Sequence, residues 1–198
     1  MKPKTTLQRI QTLISSPSFT SEDAKKFGVS AASLAYYVKT GELERLARGV
    51  YKGVNAPTID NFQWEDLITA VRQTKSGVVC LVSALALYDL TDEIPRQHWI
   101  AIPNSTRHRA PRLVRVVRMR NMDLRKTHIK IDNMTIPIFD RERTIVDAFR
   151  YLSIEIAIKA LKRALTKSKK EKINMEKLSS YAHVLRVNIT TYIMAMTT

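Results

Sequence analysis

Apolar residues recur along this chain with two periods, and the switches between them mark out its elements. Leu34, Tyr37 and Val38 take the i, i+3 and i+4 positions of one helix face over residues 31–40, and Ala24 with Phe27 supply the inward positions of a shorter helix before it. Between 42 and 52, Leu43, Leu46 and Val50 are the candidate inward residues of two short strands that turn at or near Arg48-Gly49. Helical spacing resumes after Asn55-Ala56-Pro57-Thr58. Phe62, Leu67, Ile68 and Val71 share one face of a helix that Asp60 or Asn61 caps and that runs to about Thr74; a second helix covers about 83–88. The period then becomes that of strands at 99–102, 113–119, 129–131 and 134–139, rich in β-branched residues, with Asp132-Asn133 turning between the last two. Helices return at 141–151, 154–167 and 174–187, with a final short one near 189–195.

The stretch from Thr20 to Gly53 is the most specific part of this pattern. Thr20 and Ser21 can cap a helix start, and Glu22 and Asp23 set negative charge against the positive end of its dipole. Gly28 falls where a positive φ ends that helix, so Gly28-Val29-Ser30 is the turn, with Ser30 placed to cap the next helix. Gly41 closes the second helix and the hairpin follows. Helix, tight turn, helix and hairpin is the order of a winged helix-turn-helix, in which the second helix enters a DNA major groove. Ser30, Ala32, Ser33, Tyr36 and Lys39 are then the candidate reading residues: Ser and Lys can hydrogen-bond bases or phosphates, Ala can touch a thymine methyl, and a Tyr hydroxyl can reach a phosphate. Arg45, Arg48 and Lys52 are the candidate phosphate contacts of the wing.

These same residues resemble a known family. The G-V-S turn at 28–30, the G-E-L at 41–43 and the hairpin A-R-G-V-Y at 47–51 are similar to the N-terminal domain of the AbiE-type antitoxins, the AbiEi family of type IV toxin-antitoxin systems. The small-residue helix at 81–90, the strands at 98–102 and 112–119, and the run 136–149 resemble that family's second domain in order and character. The fold class expected is α+β: an N-terminal winged helix-turn-helix domain, 1–56, followed by a mixed α/β domain, 57–198, with a roughly four-stranded sheet and C-terminal helices. The resemblance implies an antitoxin that neutralises a nucleotidyltransferase-like toxin and represses its own operon at inverted repeats in double-stranded operator DNA. It also implies that neutralisation need not involve a stable complex with the toxin.

Composition agrees with two small domains: 198 residues, 44% hydrophobic, are enough for two cores. A formal net charge of +15 implies a polyanionic partner, most simply nucleic acid. The single cysteine, Cys80, sits in an apolar run, which excludes an intramolecular disulfide framework and fits a reducing cytoplasm. With no uninterrupted apolar run of about 20 residues and no apolar signal-peptide core, a soluble cytoplasmic protein without membrane contact is expected. Basic residues crowd two places in the second domain. Arg107, Arg109, Arg112, Arg115, Arg118 and Arg120 form one; Lys159, Lys162, Arg163 and Lys167, continued by Lys169 and Lys170, form a stripe opposite Ile158, Leu161 and Leu165. Each is either a solvated face or a patch for a toxin, RNA or flanking DNA.

Catalytic patterns are incomplete. Asp140-Arg-Glu-Arg143 lacks the further carboxylate and strand lysine of a metal-dependent nuclease, and suits instead a helix cap at Asp140 with an Arg143–Asp147 pair one turn on. Gly77, Ser83 and Asp89 lack the D-x-D pair of a nucleotidyltransferase, and His98, His108, His128 and His183 lack metal-ligand spacing. There is no phosphate-cradling glycine loop, so no cofactor, no metal site and no enzymatic activity is expected. Three functions remain open: a DNA-binding antitoxin, a plain transcriptional regulator whose C-terminal domain dimerises or senses a ligand, and a nucleic-acid enzyme targeted by the winged helix. For a DNA reader, one helix covers only a few base pairs, so two molecules should occupy a repeat, as monomers or a weak dimer that cooperates on DNA.

Overall fold

In the computed structural model, which describes residues 5–57, 62–107, 110–168 and 171–197, the chain forms two units, 1–75 with 130–136 and 76–129 with 137–198. The first unit runs α1 (Thr6–Arg9), α2 (Gln11–Ile14), β1 (Phe19–Thr20), α3 (Ser21–Lys26), α4 (Ala31–Lys39), β2 (Leu43–Ala47), β3 (Val50–Gly53) and α5 (Phe62–Gln73). Its three strands pair antiparallel in the order β1-β3-β2, so the parts stand in the winged helix-turn-helix order. A capping box starts α3: the Thr20 hydroxyl accepts from the Asp23 amide at 3.1 Å, and the Asp23 carboxylate accepts from the Thr20 amide at 3.0 Å. Gly28, at φ +73°, makes the turn that only a residue without Cβ makes without strain.

The core of this unit is Ile10, Phe19, Ala24, Val29, Leu34, Leu43 and Tyr51, with Phe19 and Tyr51 stacked at 6.0 Å. Phe27, expected inward, is 45% exposed. The helix ends at Lys26, and the turn through Gly28 brings Val29 inward instead, its amide bonded to the Ala24 carbonyl at 3.1 Å. The N-terminal helices and β1 were not foreseen, although Ile10, Leu13 and Ile14 carry helical spacing; four-residue helices are too short for the period to stand out. They matter for the wing. Ile14 lies so close to Gly53 that a Cβ there would sit 2.5 Å from both the Ile14 Cγ2 and its carbonyl oxygen. α5, with Leu67, Ile68 and Val71 buried as expected, packs on all three strands of this unit, although the sequence grouped it with the second domain. Its expected cap at Asp60 or Asn61 lies outside the described residues.

The second unit holds β4 (Val78–Val79), α6 (Leu81–Leu87), β5 (His98–Pro103), β6 (Val114–Met119), the hairpin strands β7 (Lys126–Ile131) and β8 (Met134–Phe139) apart from their turn end, 130–136, which falls to the first unit, then α7 (Arg141–Tyr151), α8 (Ile154–Thr166), α9 (Met175–Leu185) and α10 (Thr190–Thr197). The sheet has five strands, in the order β6-β5-β4-β8-β7, where about four were expected. The extra one is β4, antiparallel to β5 and parallel to β8. Two residues show no alternation, but their central place leaves both valines fully buried. The turn from β4 also starts α6 at Leu81 rather than near 83.

Helix α7 packs on α6, α8 and α9. Asp140 caps it as anticipated, accepting from the Arg143 amide at 2.8 Å. Arg143 and Asp147 do pair, Nε to Oδ2 at 2.6 Å, but in the core and not on the surface. The Arg143 guanidinium also donates to the Asn121 and Leu124 carbonyls, both at 3.1 Å, and lies 4.6 Å from the Phe139 ring. No helix among the described residues is long and apolar enough to cross a membrane.

Candidate nucleic-acid interface

Ser30 starts α4 by accepting from the Ser33 amide at 3.1 Å, and the two hydroxyls lie 2.9 Å apart. Leu34 is buried, with Tyr37 and Val38 packed beside it, so the helix can present only its other side. Ala32, Tyr36 and Lys39 are exposed there and Ser33 is half-buried. Tyr36, 61% exposed, packs edge-on to Tyr37 at 5.5 Å. The expected reading residues therefore share one accessible face.

The hairpin turns at Arg48-Gly49, and the Ser21 amide donates to the Gly49 carbonyl at 2.9 Å, anchoring the turn to the start of α3. A bulge between Arg45 and Ala47 interrupts the β2–β3 register, and Arg45 Nε donates to the Ala47 carbonyl at 3.4 Å. Arg45 and Arg48 are exposed and form no ion pair among the described residues. Lys52 differs. It stands opposite Glu44 in the ladder and pairs with it at 3.1 Å, so its charge is partly satisfied within the hairpin. Behind the helices, Asp23 is bridged to Lys26 at 3.2 Å and Arg72 at 3.3 Å. Burial pulls its carboxyl upward, but the Thr20 hydrogen bonds and these two cations outweigh that and hold it below the ordinary value.

The two basic groups of the second unit differ in kind. On α8 the fully buried positions are Ala157, Ala160, Leu161 and Ala164, while Ile158 and Leu165, expected inward, are half-buried: small residues let α8 approach its neighbours, and the larger ones flank the contact. The stripe is largely neutralised. Lys159 pairs with Glu155 at 2.7 Å; Arg163 pairs with Asp89 at 2.7 Å and Asp92 at 2.5 Å; Lys167 pairs with Asp89. Only Lys162 of the four forms no ion pair among the described residues. The hydrogen bond from Lys167, followed by the charges of Lys167 and Arg163, keeps the Asp89 carboxyl below its ordinary value. Sequence reasoning missed Asp89 and Asp92 because they come from the loop after α6, more than 70 residues away from Arg163.

Along β6, alternation sends Arg115 and Arg118 to opposite faces, so the arginine group is spread around an edge strand. Arg115 lies over the Trp99 ring at 4.0 Å, its neighbour in the β5–β6 register. Arg118 donates to the carbonyls of Thr106 at 2.5 Å and Asn104 at 3.5 Å. Arg107, Arg112 and Arg120 are exposed; Arg109, His108, Lys169 and Lys170 lie outside the described residues.

Among the described residues, no group of three or more His, Cys, Asp or Glu side chains could hold a metal ion. Burial raises the Asp140 carboxyl above its ordinary value, and its other oxygen accepts from the Tyr181 hydroxyl at 3.3 Å, so it is engaged as a cap. Burial likewise pushes the Cys80 thiol well up, which leaves it a core side chain.

Residues 8–51 match a family model described as transcriptional regulator, AbiEi antitoxin. The N-terminal region thus carries the signature of that family. Among solved structures, the RV2827C protein from Mycobacterium tuberculosis is similar, with a TM-score of 0.54 and 15% identity over 90% of this chain and 72% of that one. At that identity the likeness is one of fold. No curated protein matches the sequence.

Proposed function

We propose that this chain, whose residues 8–51 match the AbiEi antitoxin regulators, is a DNA-binding antitoxin that represses its own operon. The observation that carries the reading is the row of exposed Ala32, Tyr36 and Lys39 with half-buried Ser33 on a helix capped at Ser30, followed by a hairpin with Arg45 and Arg48 exposed. Such a helix sits in a major groove with its N-terminal half toward the base edges, while the hairpin arginines meet phosphates. Two molecules occupy an inverted repeat, each reading one half-site, as monomers or a weak dimer that cooperates on the DNA. The second unit counteracts a nucleotidyltransferase-like toxin in the cytoplasm and performs no catalysis of its own. The family match supports the regulator; the toxin half rests on the resemblance alone.

Fluorescence anisotropy with the DNA upstream of the gene and a scrambled duplex, across a salt series, tests the first half. A preference of at least about a thousandfold for the native site is expected. Equal, steeply salt-dependent binding to both would refute it, because charge alone gives that result. A plain regulator with a dimerising or ligand-sensing second unit is favoured by one observation, that the family match ends at residue 51. Co-expression with the product of the neighbouring gene separates the two: growth arrest by that product alone and rescue by this chain require the antitoxin, and their absence leaves the plain regulator.

A further inference from the structure

We infer that the β6 edge of the second unit is a binding surface for single-stranded RNA, separate from the helix-turn-helix. Residues 104–126 contain seven arginines and one lysine against a single acid, Asp123. Among the described residues, Arg107, Arg112, Arg115, Arg118 and Arg120 form no ion pair, in contrast to the α8 stripe, where carboxylates hold Lys159, Arg163 and Lys167. A protein lowers the self-repulsion of such a cluster by placing acids beside it, as α8 does. Here the charge is left open to solvent, and a polyanion is the partner that such charge attracts.

The chemistry of the cluster narrows the partner. The cations are almost all guanidiniums, whose planar forks match phosphate oxygens two at a time. Arg118 is partly committed to the Thr106 and Asn104 carbonyls and shapes the loop after β5, which leaves Arg107, Arg112 and Arg120 for phosphates. Arg115 lies over Trp99 at 4.0 Å and is itself exposed, so an indole backs a flat cation that faces solvent. A nucleobase stacks on such a guanidinium, and only an unpaired strand offers the face of a base; a duplex keeps its bases stacked on one another and offers their edges and its phosphates. A protein acid surface would meet the same charge but would have no use for the stacked plane. Stacking platform plus phosphate forks on a sheet edge therefore fits a single strand.

The experiment measures anisotropy of the full-length protein with a labelled 12-nucleotide oligouridine RNA and with a duplex DNA of scrambled sequence, across a salt series. R115Q is expected to weaken RNA binding about tenfold and duplex binding less than twofold, the loss of one stacked base. R112Q/R120Q is expected to flatten the RNA salt slope by about 1.4, two phosphates at about 0.7 each. R115K separates charge from plane: affinity like R115Q supports stacking, and wild-type affinity overturns it. K162Q, on α8, should bind RNA as the wild type does. Equal losses on RNA and duplex for R115Q, or wild-type binding by both arginine variants, would overturn the proposal. Thermal melts by circular dichroism identify a misfolded variant, and R115K then stands in for R115Q. Tyr36→Ala should leave RNA binding intact, so failure of the operator reading and failure of this one are distinguishable.

Discussion

Removing Asp147 should destabilise the second unit far more than its place on a helix suggests, because the pair it forms with Arg143 is wholly buried. Arg143 is 0% and Asp147 1% exposed, and the 2.6 Å contact is the guanidinium's only carboxylate partner among the described residues. Asp147→Ala leaves a buried cation with two carbonyls and the Phe139 ring, and a buried pair broken on one side costs about 3–5 kcal/mol. Arg143→Met should cost less, since Asp147 keeps Arg150 at 2.9 Å, a partner that is 30% exposed. In the double variant no charge of the pair is stranded, so its loss should fall short of the sum of the singles by at least about 1 kcal/mol. Urea unfolding read from Trp99 fluorescence, in a Trp64→Phe background, gives the energies; with a slope of about 2 kcal/mol/M the Asp147→Ala midpoint should drop by roughly 2 M. A loss below about 1 kcal/mol for Asp147→Ala, or strict additivity, would show that the interior solvates Arg143 without its anion.

In the first unit, Gly53→Ala drives a Cβ to 2.5 Å from the Ile14 carbonyl, where backbone must move; a loss of about 3 kcal/mol is expected by urea unfolding, with operator affinity falling alongside. Asp23 has a folded pKa below its unfolded value near 3.8, so the stability it adds is present above that pH and lost as pH falls through the folded value. Asp23→Asn should therefore flatten the acid side of the stability profile below about pH 4, and an unchanged profile would count against the salt-bridged cap. Ser33→Ala and Tyr36→Ala should each weaken native-site binding by about 1–3 kcal/mol by anisotropy; unchanged affinity would mean the reading helix is misplaced. Arg48→Ala should weaken all duplexes alike and lower the salt slope by about one; a loss confined to the native site would make Arg48 a base reader instead.

What the sequence determined by itself was set within a few residues. Thr20, Ser30 and Asp140 cap the helices they were placed to cap, because a side chain reaching an amide three residues on needs no distant partner. The hairpin turn at Arg48-Gly49 and the exposed row on α4 follow from the same short range. The tertiary structure alone decided where burial and charge ended up. Phe27 is exposed because the Gly28 turn delivers Val29 to the core. β4 is a strand because two neighbours flank it, which no pattern within two valines can announce. The two arginine and lysine groups look alike in sequence, yet Asp89 and Asp92 come back across more than 70 residues to neutralise one, while the β5–β6 register lays Arg115 on Trp99 in the other. A local pattern fixes hydrogen bonds that close within a turn; whether a charge is buried, paired or open depends on chain that arrives from elsewhere.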